Sequence, residues 1–162
     1  MKKIFLLILL FTSLLMAKTY HFSEVRYSDA LNKSIKLQGL ISFESESLEI
    51  LYEKSDKRLV YEDEELSMYE GEEEIDLNES EAMKIAQYFE IIILLYEGDE
   101  EKLKENFTSH KEQNKTLLKP KNEMKEYIKE IILVHESKAL KSLKLCLSND
   151  DTIKISIEDE VR

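Results

Sequence analysis

Between residues 34 and 69, apolar and polar side chains alternate through short segments: Ile35, Leu37, Ile41 and Phe43, then Leu48, Ile50 and Tyr52, then Leu59 and Tyr61, then Leu66 and Met68. A period of two marks strands with one apolar and one wetted face. The breaks at 44–47, 53–57 and 62–65 are short and rich in Glu, Ser, Asp and Lys, so the stretch predicts a meander of antiparallel hairpins. Ahead of it, Tyr20, Phe22, Val25 and Tyr27 mix aromatic and β-branched residues, which predicts an edge strand over 18–27 and a short turn over 28–33. Gly39 interrupts the first clear strand, and glycine inside a strand marks a bend or a close backbone approach.

The period then changes. Asn78 is followed three positions later by Glu81, the reciprocal capping pattern that opens a helix. Ala82, Ile85, Ala86, Phe89, Ile92, Ile93 and Tyr96 form one face of a helix over 80–97. Ile91, Leu94 and Leu95 fill the other side, so its last turns are apolar all round and belong either in a core or against something apolar outside the chain. Gly98 suits the left-handed stop, and Asp99 caps a second short helix reaching Phe107. A polar loop is expected over 110–115, followed by a short strand around Thr116, Leu118 and Pro120 that ends in a turn by 125. Three strands complete the chain over 127–135, 140–147 and 152–157. In the last two, Leu143, Leu145 and Leu147 share one face, as do Ile153, Ile155 and Ile157, with a hairpin turn at 148–151.

The chain has 162 residues, enough for one domain that buries a core without staples. Residues 1–17 read separately: Lys2 and Lys3 precede an apolar stretch from 4 to 11 and small residues ending at Ala17, the pattern of an export signal cleaved between Ala17 and Lys18. The apolar stretch is shorter than the roughly 20 residues that span a bilayer. The expected organisation is a secretory signal peptide over 1–17 and one domain over 18–162, with a periplasmic location. Without Lys2 and Lys3, 21 of the 23 basic residues face 34 acidic ones, a formal charge of −13. Phosphate polymers and anionic membrane surfaces repel such a chain, so nucleic acid is excluded as a natural partner. The acidic clusters at 62–65 and 70–74 read as solvated loops.

Reactive constellations do not emerge. His21, His110 and His135 show no metal-ligand spacing with one another or with Cys146, and Gly39, Gly71 and Gly98 form no phosphate-cradling loop. Cys146 sits between Leu145 and Leu147 without a partner, as a reduced thiol in a strand. Neither catalysis nor a metal or cofactor is expected. What remains is apolar surface on strands either side of a helix with greasy last turns, an arrangement that can take an acyl chain by area alone. A filled core is the alternative reading of the same pattern.

The run Phe22-Ser23-Glu24-Val25-Arg26-Tyr27-Ser28 with Leu31, then Leu37-Gln38-Gly39-Leu40-Ile41-Ser42-Phe43, then Leu48 and Tyr52, resembles the periplasmic lipoprotein carriers of the LolA type, in particular their divergent LolA-like relatives. Gly98-Asp99 after an apolar helix, Leu103 and Phe107 beyond it, and Leu118 and Pro120 before the terminal strands extend the resemblance over nearly the whole of 18–162. It implies an α+β, mainly β fold: an incomplete (half) antiparallel β-barrel covered by a helical lid over an apolar cavity. It implies a monomeric carrier of acylated lipoprotein or lipid cargo that works between membrane-bound donor and acceptor proteins, without a cofactor. The candidate cavity residues are Leu37, Ile41, Phe43, Ile50, Tyr52, Leu59 and Tyr61 from the strands and Phe89, Ile92, Ile93 and Tyr96 from the helix. The chain departs from the family in three ways: it lacks a full helix before the first strand, it has no tryptophan, and apart from the terminal Arg162 it offers only Arg26 and Arg58 for the family's lid arginine. An exported interaction module with a filled half-barrel is the alternative function.

Overall fold

The computed structural model describes residues 17–121 and 123–161; the export-signal reading therefore lies almost wholly outside the described residues. The elements in chain order are β1 (Lys18–Ser28), β2 (Lys33–Glu44), β3 (Ser47–Tyr52), β4 (Lys57–Glu62), β5 (Glu65–Glu70), β6 (Glu73–Ile75), α1 (Glu79–Glu97), α2 (Glu100–Asn106), β7 (Phe107–Glu112), β8 (Lys115–Pro120), β9 (Ile128–Glu136), β10 (Ala139–Leu147) and β11 (Thr152–Glu160), with a short 3₁₀ turn at Glu123–Glu126. All the strands pair antiparallel in one open sheet of order β6-β5-β4-β3-β2-β1-β11-β10-β9-β8-β7. The protein is thus mainly β, an incomplete barrel with its apolar side covered by helix, as the alternation and the resemblance imply.

Register explains why the inner face is continuous. Ile41 faces Ile50 across β2 and β3, Phe43 faces Leu48, Leu48 faces Tyr61, and Ile50 faces Leu59. On the other half, Leu143 faces both Ile155 and Leu133, while Leu145 faces Ile153 and Ile131. Side chains of one parity on each strand therefore join into a single apolar surface. The bends come from register shifts at Tyr20/Phe22, Leu140/Ser142 and Cys146/Leu147, since an extra residue in one strand curves the sheet. Hairpin tips at Asp63-Glu64 and Ser137-Lys138 take positive φ at both central residues, the geometry that matches strand twist.

Two expectations are corrected. β1 is not an edge strand: it lies in the middle of the sheet, between β2 and β11. Local pattern carries no information on a partner more than 120 positions away, and β11 closes onto β1 from Tyr20↔Glu160 to Tyr27↔Thr152. The polar loop expected over 110–115 is a hairpin instead. β7 pairs with β8 from Phe107↔Pro120 to Glu112↔Lys115, and it escapes the alternation test because everything after Phe107 in this edge strand is exposed. β6, within the acidic 70–74 cluster, is a further short edge strand that pairs with β5. Cys146 lies half-buried in β10 as expected, and burial raises its thiol pKa.

Gly39 shows the close approach anticipated for it. A Cβ built there would lie 1.9 Å from the Leu51 carbonyl oxygen and 3.0 Å from the ring of Phe22, the residue opposite it in β1. The absent side chain lets the Phe22 ring lie against the strand. Gly39→Ala is accordingly predicted to destabilise the fold by about 3 kcal/mol, the upper end for overpacked cores. A urea midpoint equal to that of the unsubstituted protein would contradict this.

Candidate functional site

Helix α1 is the cover of the inner face. It starts at Asn78, whose side chain accepts from the Glu81 backbone N–H at 3.0 Å, and it stops at Gly98 in the left-handed conformation. Asp99 then caps α2 through the N–H groups of Glu101 and Lys102. Phe89, Ile91, Ile92, Ile93 and Leu95 of α1 are all buried, Ile92 completely. The all-round apolar end of the helix is therefore sunk into the trough of the sheet.

Every candidate cavity residue except two is buried in one cluster: Ile41, Phe43, Ile50, Tyr52, Leu59, Tyr61, Phe89, Ile92 and Ile93 are buried, while Leu37 and Tyr96 are half-buried against them. Aromatic contacts fasten helix to sheet. The rings of Phe43 and Tyr96 stack at 3.6 Å between centroids, and Tyr61 meets Phe89 edge-on at 6.3 Å. Two hydroxyl contacts add to these: Tyr61 Oη donates to Glu90 Oε1 at 2.7 Å, and the hydroxyls of Tyr20 and Tyr96 share a hydrogen bond at 3.1 Å. Tyr20, half-buried on β1, belongs to this surface although the pattern did not single it out for a site.

Open space lies at the C-terminal end of α1. A cleft of about 210 Å³ is lined by Lys18, Phe43, Ile93 and Tyr96 among others. A larger one of about 670 Å³ lies between the hairpin tips and the helices, with Tyr61, Ile93 and Leu94 set among Glu46, Glu62, Asp63, Glu64, Glu90 and Glu97, and Lys102 as its one basic residue. The acidic 62–65 stretch is thus a cleft wall as well as a turn.

At the other end of the helix the inner face carries a charge. Phe22, Glu24 and Arg26 share one parity on β1, so Glu24 points under α1 and is 0% exposed. An isolated carboxylate there would be too costly, and it is met on both oxygens. Arg26 Nε donates to Glu24 Oε1, and Tyr52 Oη donates to Glu24 Oε2 at 3.1 Å while accepting from Arg26 Nη2 at 3.0 Å. Burial works against the Arg26 charge, yet its hydrogen bond to Glu24 and the Glu24 charge leave the guanidinium above its ordinary value. Burial first and the Glu24 charge second push the Tyr52 hydroxyl up. Of Arg26 and Arg58, Arg26 is the one on the helix-covered face of the sheet; Arg58, on the opposite face of β4, lies over the Tyr69 ring.

Tyr88 completes the cluster from the helix side. Its hydroxyl oxygen is buried without a hydrogen-bond partner among the described residues, and burial together with the Glu24 charge holds its pKa well above the usual value. The strand alternation contained a signal for Glu24 and Arg26, opposite charges two apart in phase with Phe22. Tyr88 stands at helical spacing between Ile85 and Ile92, so its place under the helix was also legible.

No protein-family model matches the chain, and no curated protein matches its sequence. Among solved structures, the chain is similar to one from Vibrio parahaemolyticus described as an outer membrane lipoprotein-sorting protein domain. The two are 7% identical, with 90% of this chain and 84% of that one covered at a TM-score of 0.43. At that distance the architecture rests on the sheet order and the helical cover themselves. No group of three or more His, Cys, Asp or Glu among the described residues is placed to hold a metal ion.

Two predictions follow from the charged cluster and its tyrosines. Arg26→Met leaves Glu24 buried without its cation and is expected to cost about 2 kcal/mol, less than a fully buried pair because Arg26 is half exposed. Adding Glu24→Leu should recover most of that loss in a denaturant titration; no recovery would show that the pair does not act as a unit. The hydroxyls of Tyr52, Tyr61, Tyr88 and Tyr96 all sit above their unfolded value of 10.0. Raised folded values leave stability intact below pH 10 and remove it progressively above, as the unfolded chain releases protons that the folded one keeps. Tyrosinate absorbance should then rise together with unfolding, and ionisation of all eight tyrosines before the sheet melts would contradict this.

Proposed function

We propose that the protein is a non-enzymatic periplasmic carrier that shields acyl chains of lipoprotein or lipid cargo in the trough now filled by α1. The observation that carries this reading is the helix itself. It is a separate element between two short connections, apolar all round at its last turns, and it covers the apolar face of the sheet with Phe89, Ile91, Ile92, Ile93 and Leu95. Swinging away, α1 would expose Ile41, Phe43, Ile50, Leu59 and Tyr61, and Phe89, Ile92, Ile93 and Tyr96 would provide the other wall for a chain bound by area. The clefts beside Phe43 and Ile93 are where such a chain would enter. The acidic surface suits donor and acceptor proteins with basic docking patches, whose binding salt should weaken.

The packing of the same trough favours a second reading, an exported interaction module whose interior is permanently filled. Mass spectrometry of organic extracts of the protein, purified without detergent from the periplasm, separates the two. Lipid or acylated cargo in a fixed ratio is the result expected of a carrier. A clean extract, together with no binding of a fluorescent acyl probe, would establish the filled module instead.

A further inference from the structure

Within the carrier reading, one group beneath the helix does no evident structural work. A buried hydroxyl without an acceptor costs roughly 1–3 kcal/mol, and native interiors hold few such groups. The Tyr88 hydroxyl is in that position. Tyr96 meets Tyr20; Tyr88 lies two helical turns back from Tyr96, about 12 Å, and Glu24 lies four residues along β1 from Tyr20, about 13 Å, which brings the two level, and the Glu24 charge acts on the hydroxyl. Glu24 is already engaged, Oε1 by Arg26 and Oε2 by Tyr52, and Tyr52 in turn accepts from Arg26. The folded chain thus leaves one donor over at the edge of a polar cluster set in an apolar face.

The cluster also has an outlet. Arg26 has 46% of its side chain exposed, and Ile35, opposite it on β2 and on the same inner face, is 60% exposed. The sheet therefore runs on past its helical cover at this end, with the guanidinium at the boundary between wet and dry. Apolar surface lies on both sides: Leu37 and Ile155 flank Glu24 in register, and Ile92 fills the trough one helical turn beyond Tyr88.

We propose that Tyr88 Oη and Arg26 form the polar end of the ligand site and receive a neutral carbonyl oxygen, that of an ester or amide joining an acyl chain to its headgroup. Tyr88 Oη donates to the carbonyl, which provides the acceptor that it lacks among the described residues, and the exposed side of the guanidinium can donate a second bond. An anionic headgroup fits poorly here. Glu24 already neutralises Arg26, so a second negative charge would meet a buried carboxylate and no spare cation. Selection by an unpaired donor is strong, because a ligand without the acceptor leaves it buried and unsatisfied.

The inference rests on the carrier reading, and its test keeps the two apart. Displacement of an apolar fluorescent dye from the purified protein is measured with methyl palmitate, which has an ester carbonyl, and with hexadecane, which has none. Methyl palmitate is expected to bind about tenfold more tightly. In Tyr88→Phe that preference should vanish through loss of ester affinity, with hexadecane binding unchanged and the melting temperature equal or higher, since no bond of the unliganded protein is lost. Tyr127→Phe, which removes an exposed hydroxyl away from this face, should keep the preference. Binding of both lipids with the preference intact in Tyr88→Phe overturns this inference and leaves the carrier standing, as does equal loss in Tyr127→Phe. Displacement by neither lipid overturns both.

Discussion

An open sheet with one apolar face needs that face kept from water, and here one helix meets most of the need. The requirement shapes the chain on both sides of α1. The meander before it supplies the wall formed by β2 to β5, the hairpins after it supply the wall formed by β9 to β11, and pairing of β1 with β11 joins the walls into one trough. Phe89, Ile91, Ile92, Ile93 and Leu95 then fill the trough from a single element. A core made this way depends on a piece that is not part of the sheet's hydrogen-bond ladder. Its attachments are side-chain contacts: those buried apolar residues, the Phe43–Tyr96 stack and the Tyr61–Glu90 hydrogen bond, none of which is a strand pairing.

The Glu24–Arg26–Tyr52 cluster belongs to the same logic. A solid apolar core gains nothing from a carboxylate in its centre, since well-packed apolar replacements are often neutral or stabilising. Keeping one, together with a Tyr88 hydroxyl that is buried without a partner among the described residues, makes sense where a polar group is to be met from outside. The two ends of the helix thus differ in kind. The C-terminal end is fixed by aromatic rings beside open acidic clefts, and the N-terminal half lies over charge and hydroxyls next to uncovered apolar sheet.

Much of this was legible in the residues because two periods, two and then 3.6, follow one another cleanly. Leu48-x-Ile50-x-Tyr52 and Ile153-x-Ile155-x-Ile157 announce both face and partner type. The capping residues Asn78 and Asp99 and the stop at Gly98 delimit the helices to within a residue or two. What the pattern could not carry is sheet order. β1 looked like an edge strand since its second partner lies at the far end of the chain, and β7 looked like a loop since an exposed edge strand buries neither face. The candidate trough residues were readable as one face, but alternation treats a strand carboxylate as outward by default. Glu24 breaks that rule, and its phase with Phe22 is the signal that the sequence reading passed over. Whether an apolar face holds a ligand or merely packs is not written in periodicity at all, because both uses need the same residues.

The central claim is that α1 occupies the place of a ligand and gives way to it while the sheet stays intact. Hydrogen exchange of the full chain, with and without saturating palmitoyl lipid, tests this directly because it reads the helix and the strands separately. The account predicts that amides of 83–97 exchange faster than those of β2 and β10 in the free protein, and that lipid changes exchange in α1 while β2, β3 and β10 keep their protection. Protection of α1 as deep as that of the central strands, and unaltered by lipid, would make the helix a fixed part of the core and contradict the account.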